Sequence, residues 1–145
     1  MILAHAIVGV MPVDAGLSWF WFLGSVVPDI DHLFVLYRHK IFSWGKFIDA
    51  MKFEEKYGLR FKTKYAHSVF GAVIATLFVV FFDARGALYF FTGYILHLFL
   101  DWPDRDEKQY LYPFKKIFKG FLPIFSKQEI VFTLLLLGLY FYVTV

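Results

Sequence analysis

Apolar and polar positions alternate along this chain in long blocks rather than in short strand-like steps. Residues 2–11 are apolar except for His5. Met11-Pro12-Val13-Asp14 interrupts them, because proline ends a helix and aspartate is a good helix N-cap. Residues 15–27 are apolar again, and Pro28 suits the first turn of a further helix, with Asp29 and Asp31 close behind. Two more apolar runs, 65–82 and 86–100, are joined by Asp83-Ala84-Arg85-Gly86, which predicts an antiparallel helical hairpin. Both are slightly under the ~20 residues that span a bilayer, though the usable range begins near 17. Residues 102–127 are polar and basic, with a short helix predicted around 115–119, and 128–145 form a last apolar span.

Between Arg38 and Lys64 cations alternate with Phe42, Trp44, Phe47, Ile48, Met51 and Phe53. The stripe over 41–56 is near helical spacing and reads as an amphipathic helix on a membrane surface, with a helix packed on the rest of the fold as the alternative. The predicted fold is therefore all-α: one integral membrane domain, a helical bundle of two helical hairpins plus a C-terminal transmembrane helix. Its parts are a hairpin at 1–37, the amphipathic segment 38–64, a hairpin at 65–101, the loop 102–127 and the helix 128–145.

Composition agrees. Hydrophobic residues make up 59% of the 145, and 20 are phenylalanine, against ~45–50% apolar in soluble domains. There is no cysteine, which excludes disulfides, thiolate metal sites and a cysteine nucleophile; a metal would need histidine and carboxylate ligands. The net charge of +3 fits basic loops facing anionic lipid. Nucleic acid is a weaker partner, since no binding motif accompanies the basic residues. The start does not resemble a cleavable signal: it lacks a basic head, and His5 and Asp14 interrupt it.

The basic residues also give an orientation. Segment 38–64 holds eight Lys/Arg, 102–127 six and 83–86 one. The two basic loops then share the cytoplasmic side. Measured from the 83–86 turn at ~1.5 Å per residue, His67 and His97 lie within about 3 Å of the same depth.

The first segment reads as a shorter copy of the second hairpin. Ala4-His5-Ala6-Ile7-Val8-Gly9 matches Ala66-His67-Ser68-Val69-Phe70-Gly71, and ten residues separate both Asp14 from Gly24 and Asp83 from Gly93. Pro28 then aligns with His97 and His32 with Asp101. His5 and Gly9, His67 and Gly71, and Gly93 and His97 are each four apart, so these stripes should face other helices. On straight helices His5 would sit about 9 Å from the depth of Asp29. Residues 11–13 are therefore predicted to be non-helical, and His5 is the weakest ligand candidate.

His5, Asp29, Asp31, His32, His67, Ser68, His97 and Asp101 all fall at predicted helix ends on one side. His97 and Asp101 share a helix face. Taken singly, each has an ordinary reading: a satisfied core histidine, a helix-start carboxylate, and for Ser68 a cap rather than a nucleophile. Asp14 and Asp83 read as turn caps and His39 as solvated. Together, ionisable groups at such depth mark function, and imidazole with carboxylate suits zinc, iron or manganese. Asp29, His67, His97 and Asp101 lead the ligand set, followed by His32, Asp31 and His5. Asp31 or His32 is the candidate general base, and water activated by one or two ions the nucleophile.

Gly24-x-x-x-Pro28-Asp29-x-Asp31-His32, His67-Ser68, Gly93-x-x-x-His97-x-x-x-Asp101 and a later Pro113-Phe114 resemble the YdjM-like family of inner-membrane metal-dependent hydrolases, also described as LexA-binding. The resemblance spans residues 4–114. The family is also distantly similar to zinc-dependent phospholipase C, which implies zinc and phosphoester chemistry on lipid. Family members lead into the His-Ser pair with Arg-Gly-x-Thr, whereas this chain has Lys62-Thr63-Lys64-Tyr65-Ala66. If that arginine binds substrate phosphate, Lys62 or Lys64 takes its place as a point charge.

The expectation is a multi-pass inner-membrane hydrolase of a lipid-like phosphoester, with its site on the cytoplasmic side. Two rivals stand beside it. One is a non-catalytic metal-binding protein or transporter, which the one-sided clustering disfavours. The other is a scaffold binding a cytoplasmic partner through 38–64, in which the histidines and aspartates would be dispensable.

Overall fold

The computed structural model describes residues 5, 7, 9 and 10, 16–124 and 126–144; of Glu55, Lys56, Val143 and Thr144 it describes the backbone alone. The predicted break at 11–13 and the Asp14 cap lie outside the described residues. His5 and Gly9 are helical. Helix α1 spans Ser18–Val26 and passes through a 3-10 turn, Val27–Asp29, into α2, Ile30–Arg38. The turn falls at Pro28, whose missing N–H cannot continue the α-helical ladder.

The amphipathic segment is shorter than expected. Helix α3 covers Trp44–Lys52 and α4 only Glu54–Tyr57. Ala50 and Met51 of α3 are buried with Val35, Leu59 and Phe61, so that part of the apolar stripe packs on the protein. Phe42 and Trp44 remain exposed.

The second hairpin is present as α5, Val69–Val80, and α6, Ala84–Asp101. It starts four residues later than the hydrophobic run. The Ser68 hydroxyl accepts from Gly71 N at 3.1 Å and donates to the Tyr65 carbonyl at 3.0 Å, so the helix begins after Ser68 and His67 sits in the preceding turn. Asp83 caps α6, its Oδ1 accepting from Arg85 N at 2.8 Å and Gly86 N at 2.9 Å.

The main packing is α1 against α6, and it is nearly symmetric. A Cβ on Gly24 would overlap the Phe90 carbonyl, and one on Gly93 would overlap the Trp21 carbonyl. Trp21 is related to Phe90 by the same sequence offset that relates Gly24 to Gly93. The first arms follow suit: Gly9 lies against Ser25, and Gly71 against Tyr94. These paired contacts give the sequence repeat a physical form, in which small residues let two helices approach closely. Ala72, Phe90, Tyr94 and Leu98 form the core beneath the crossing.

The chain is mostly helical but not wholly so. No helix forms at 115–119; instead β1, Glu107–Lys108, pairs antiparallel with β2, Phe118–Lys119. Gly120 permits this return by lying directly on the Pro103 backbone. Helix α7, Lys127–Thr144, follows, with Phe132 and Leu136 against Leu122. Among the described residues one stretch, Ser18–Arg38, has the length and hydropathy of a membrane span. Helix α5 is apolar, but its 12 residues reach only ~18 Å, short of a ~30 Å hydrocarbon core.

Candidate metal centre

Four separate parts of the chain converge beneath the α1–α6 crossing. The N-terminal segment brings His5, the 3-10 turn Asp29, the turn before α5 His67, and the last two turns of α6 His97 and Asp101. His5 stacks on His97 with ring centroids 4.0 Å apart. His5 Nε2 lies 3.4 Å from Asp101 Oδ1, and His5 Nδ1 3.6 Å from Asp29 Oδ2. His67 Nε2 lies 3.3 Å from Asp101 Oδ2 and 3.7 Å from Asp29 Oδ1. His97 Nε2 lies 3.6 Å from Asp29 Oδ1 and 3.7 Å from Asp101 Oδ2.

The rings are held by their far edges. His97 Nδ1 lies 2.7 Å from the Ser25 carbonyl. His67 Nδ1 lies 3.0 Å from Asp31 Oδ2, which also accepts from Thr63 N at 2.8 Å. Asp31 Oδ1 meets His32 Nδ1 at 2.7 Å. A neutral imidazole that donates from Nδ1 carries its lone pair on Nε2, so both held rings aim an acceptor at Asp29 and Asp101.

That arrangement is costly unless something supplies partners to the inward-facing atoms. Buried and lacking hydrogen-bond partners are both nitrogens of His5, Nε2 of His67 and His97, and Oδ2 of Asp101. Each such orphan costs ~1–3 kcal/mol. Acceptors collected at 3.3–3.7 Å match donors that share an ion at ~2.0–2.2 Å. A void of about 20 Å³ lined by His5, Asp29, His32 and Asp101 admits a particle of water size. Three overlapping groups can each hold a metal: His5, His97 and Asp101; Asp29, His67 and His97; Asp31, His32 and His67. The donor set fits a divalent ion.

A family model described as YdjM inner membrane protein matches residues 1–145. The chain belongs to that family. No curated protein and no solved structure matches it. Membership of the YdjM family, with the candidate span at 18–38, makes this a membrane-associated protein.

The structure gives other roles to three residues of the sequence reading. Ser68, read as a catalytic candidate, is wholly buried and its hydroxyl is used as a helix cap. Lys62, read as a substrate-phosphate ligand, is enclosed by carboxylates: its Nζ lies 2.7 Å from Asp104 Oδ2, 2.9 Å from Asp101 Oδ1 and 3.6 Å from Asp106 Oδ2. The Asp101 contact is an ion pair without hydrogen-bond geometry. Burial works against the Lys62 ammonium, but Asp101, Asp104 and Asp106 outweigh it and hold its pKa well above the usual value. Lys64, the other phosphate candidate, lies over the rings of Tyr65 and Tyr112 at 5.1 and 5.4 Å. Asp31 and His32 stand at the edge of the cluster, with Asp31 orienting His67.

Sequence reasoning missed the polar layer behind the cluster. Asp104 is buried, and its carbonyl accepts from Lys108 Nζ. Burial, and then the neighbouring Lys62, push the Lys108 ammonium down to about 8. Ser25 was missed too, because its contribution is a backbone carbonyl, which no side-chain pattern encodes.

Proposed function

We propose that this YdjM-family protein is a metal-dependent hydrolase of a phosphoester on a lipid or other amphiphile. The observation that carries the reading is the gathering of buried acceptors without hydrogen-bond partners from His5, His67, His97 and Asp101, with the half-buried Asp29 carboxylate beside them. These residues would hold a divalent ion, zinc first and manganese or iron as alternatives, which would supply a positive charge for a phosphoryl oxygen and acidify a water. Asp31 holds His67 in the tautomer that presents Nε2, and the Ser25 carbonyl does the same for His97. His32, paired with Asp31 at the edge of the void, is placed to take a proton.

A membrane setting supports an amphiphilic substrate. Trp19, Phe22, Leu33 and Phe34 along 18–38 are exposed, as are Phe70, Leu77, Phe78 and Phe81 around α5. Apolar faces this broad favour lipid contact. We read the chain as multi-pass, with the metal centre on the cytoplasmic side beside the basic segments.

The test is metal analysis of detergent-purified protein together with hydrolysis of a phospholipid in mixed micelles. His97→Ala and Asp101→Ala should each lower bound metal and abolish turnover, while His39→Ala keeps both. Full metal content and full activity in both ligand variants would end the hydrolase reading and favour a scaffold.

A further inference from the structure

A second cavity, of about 600 Å³, opens beside the metal centre. Met51 and Lys62 line both the cavity and the small void, so the two share a wall. Its size suits an organic group rather than a lone phosphate ion. Its lining holds five cationic side chains against three carboxyls. Glu107 and Glu54 are spoken for, while Asp106 shares Lys62 with Asp101 and Asp104. Asp106 faces Lys62 at 3.6 Å, and Glu107 faces Arg60 at 3.4 Å. Glu54 accepts from Phe61 N at 3.1 Å, and burial, reinforced by Asp106, raises its pKa to about 7. Arg105 and Lys119 therefore tip the cavity toward positive potential.

The lining also argues against a cationic group. Phe53 is its single aromatic ring, whereas quaternary ammonium is held by cages of several rings. We propose that this cavity takes an anionic headgroup, a phosphorylated polyol, carried by the phosphoester substrate beyond the phosphate that reaches the metal centre. Arg105 and Lys119 recognise its charge, and Met51 and Leu59 cover its carbon skeleton. The ligand's identity as substrate rests on the hydrolase reading; its binding does not.

Binding is measured by titration calorimetry on the full chain in detergent, stripped of metal by a chelator so that nothing turns over. The probes are glycerol bisphosphate, phosphatidylglycerol phosphate in micelles, and phosphatidylcholine. The expected result is a preference of at least tenfold for the phosphorylated headgroup over phosphatidylcholine, lost in Arg105→Glu and Lys119→Glu. Equal affinity for the soluble and lipid probes means the headgroup suffices; binding of the lipid alone means the acyl chains add the rest. Arg105→Gln guards against misfolding, and should weaken binding in between. Phosphatidylcholine binding as tightly, or binding indifferent to both charge reversals in folded protein, overturns the proposal. Anionic binding without any metal-dependent turnover would keep the cavity assignment and remove the hydrolase reading alone.

Discussion

Lys62 Nζ lies 2.9 Å from Asp101 Oδ1, while Oδ2 of the same carboxylate faces His67 Nε2 at 3.3 Å. One carboxylate thus joins two buried polar layers. Lys62→Met should remove the ammonium that ion-pairs with the carboxylates of both Asp101 and Asp104. Breaking a buried pair on one side typically costs ~3–5 kcal/mol. Thermal unfolding in detergent should fall sharply, and Lys62→Met with Asp104→Asn should recover part of the loss. A double variant no better than the single one would refute the pairing.

Asp31 and Ser68 should separate. Asp31→Asn removes the carboxylate that sets the His67 ring, and such outer partners are worth ~10–100-fold in metal affinity. Ser68→Ala removes a helix cap, worth ~1 kcal/mol, and should leave bound metal and turnover near wild type. Complete loss of turnover in a folded Ser68→Ala protein would restore the nucleophile.

The helix crossing predicts a glycine pattern. Gly24→Ala and Gly93→Ala each push a methyl into the opposite backbone and should destabilise by ~1–3 kcal/mol. Gly45 and Gly138 have open space around the added carbon and lie in helices. Alanine there should be neutral or stabilising by up to ~1 kcal/mol. Denaturant or thermal unfolding of the four variants is the measurement.

Glu54 should make stability fall with rising pH. Burial, reinforced by Asp106, pushes its carboxyl from the ordinary 4.5 up to about 7, so between those values the folded chain keeps a proton that the unfolded chain has released. Stability contributed by the protonated form is full below 4.5 and is lost as pH climbs to about 7. Glu54→Gln keeps the acceptor for Phe61 N and should flatten that slope. Identical pH profiles for the two proteins would place the titration elsewhere.

Orientation can be read with introduced cysteines, since the chain has none. Cysteines at Lys46 and Arg105 should react with an impermeant thiol reagent from the cytoplasmic side, and one at Arg85 from the opposite side. Opposite sidedness for positions 46 and 105 would break the multi-pass reading.

Local pattern alone settled the helical class and the turn at 83–86, because these depend on periodicity and on caps such as Asp83. The sequence also placed His5, Asp29, His67, His97 and Asp101 together, because a repeated spacing and a small-residue stripe leave few ways to bury them. What it could not decide was set by contacts distant in sequence. Lys62 looks like any other cation of a basic loop until Asp101 and Asp104 close around it. Ser25 looks like filler until its carbonyl receives His97. The ladder between 107–108 and 118–119 exists because Gly120 fits on the Pro103 backbone, a fit that no local propensity records. Where a charge ends depends on the shape closed over it, and that shape belongs only to the assembled fold.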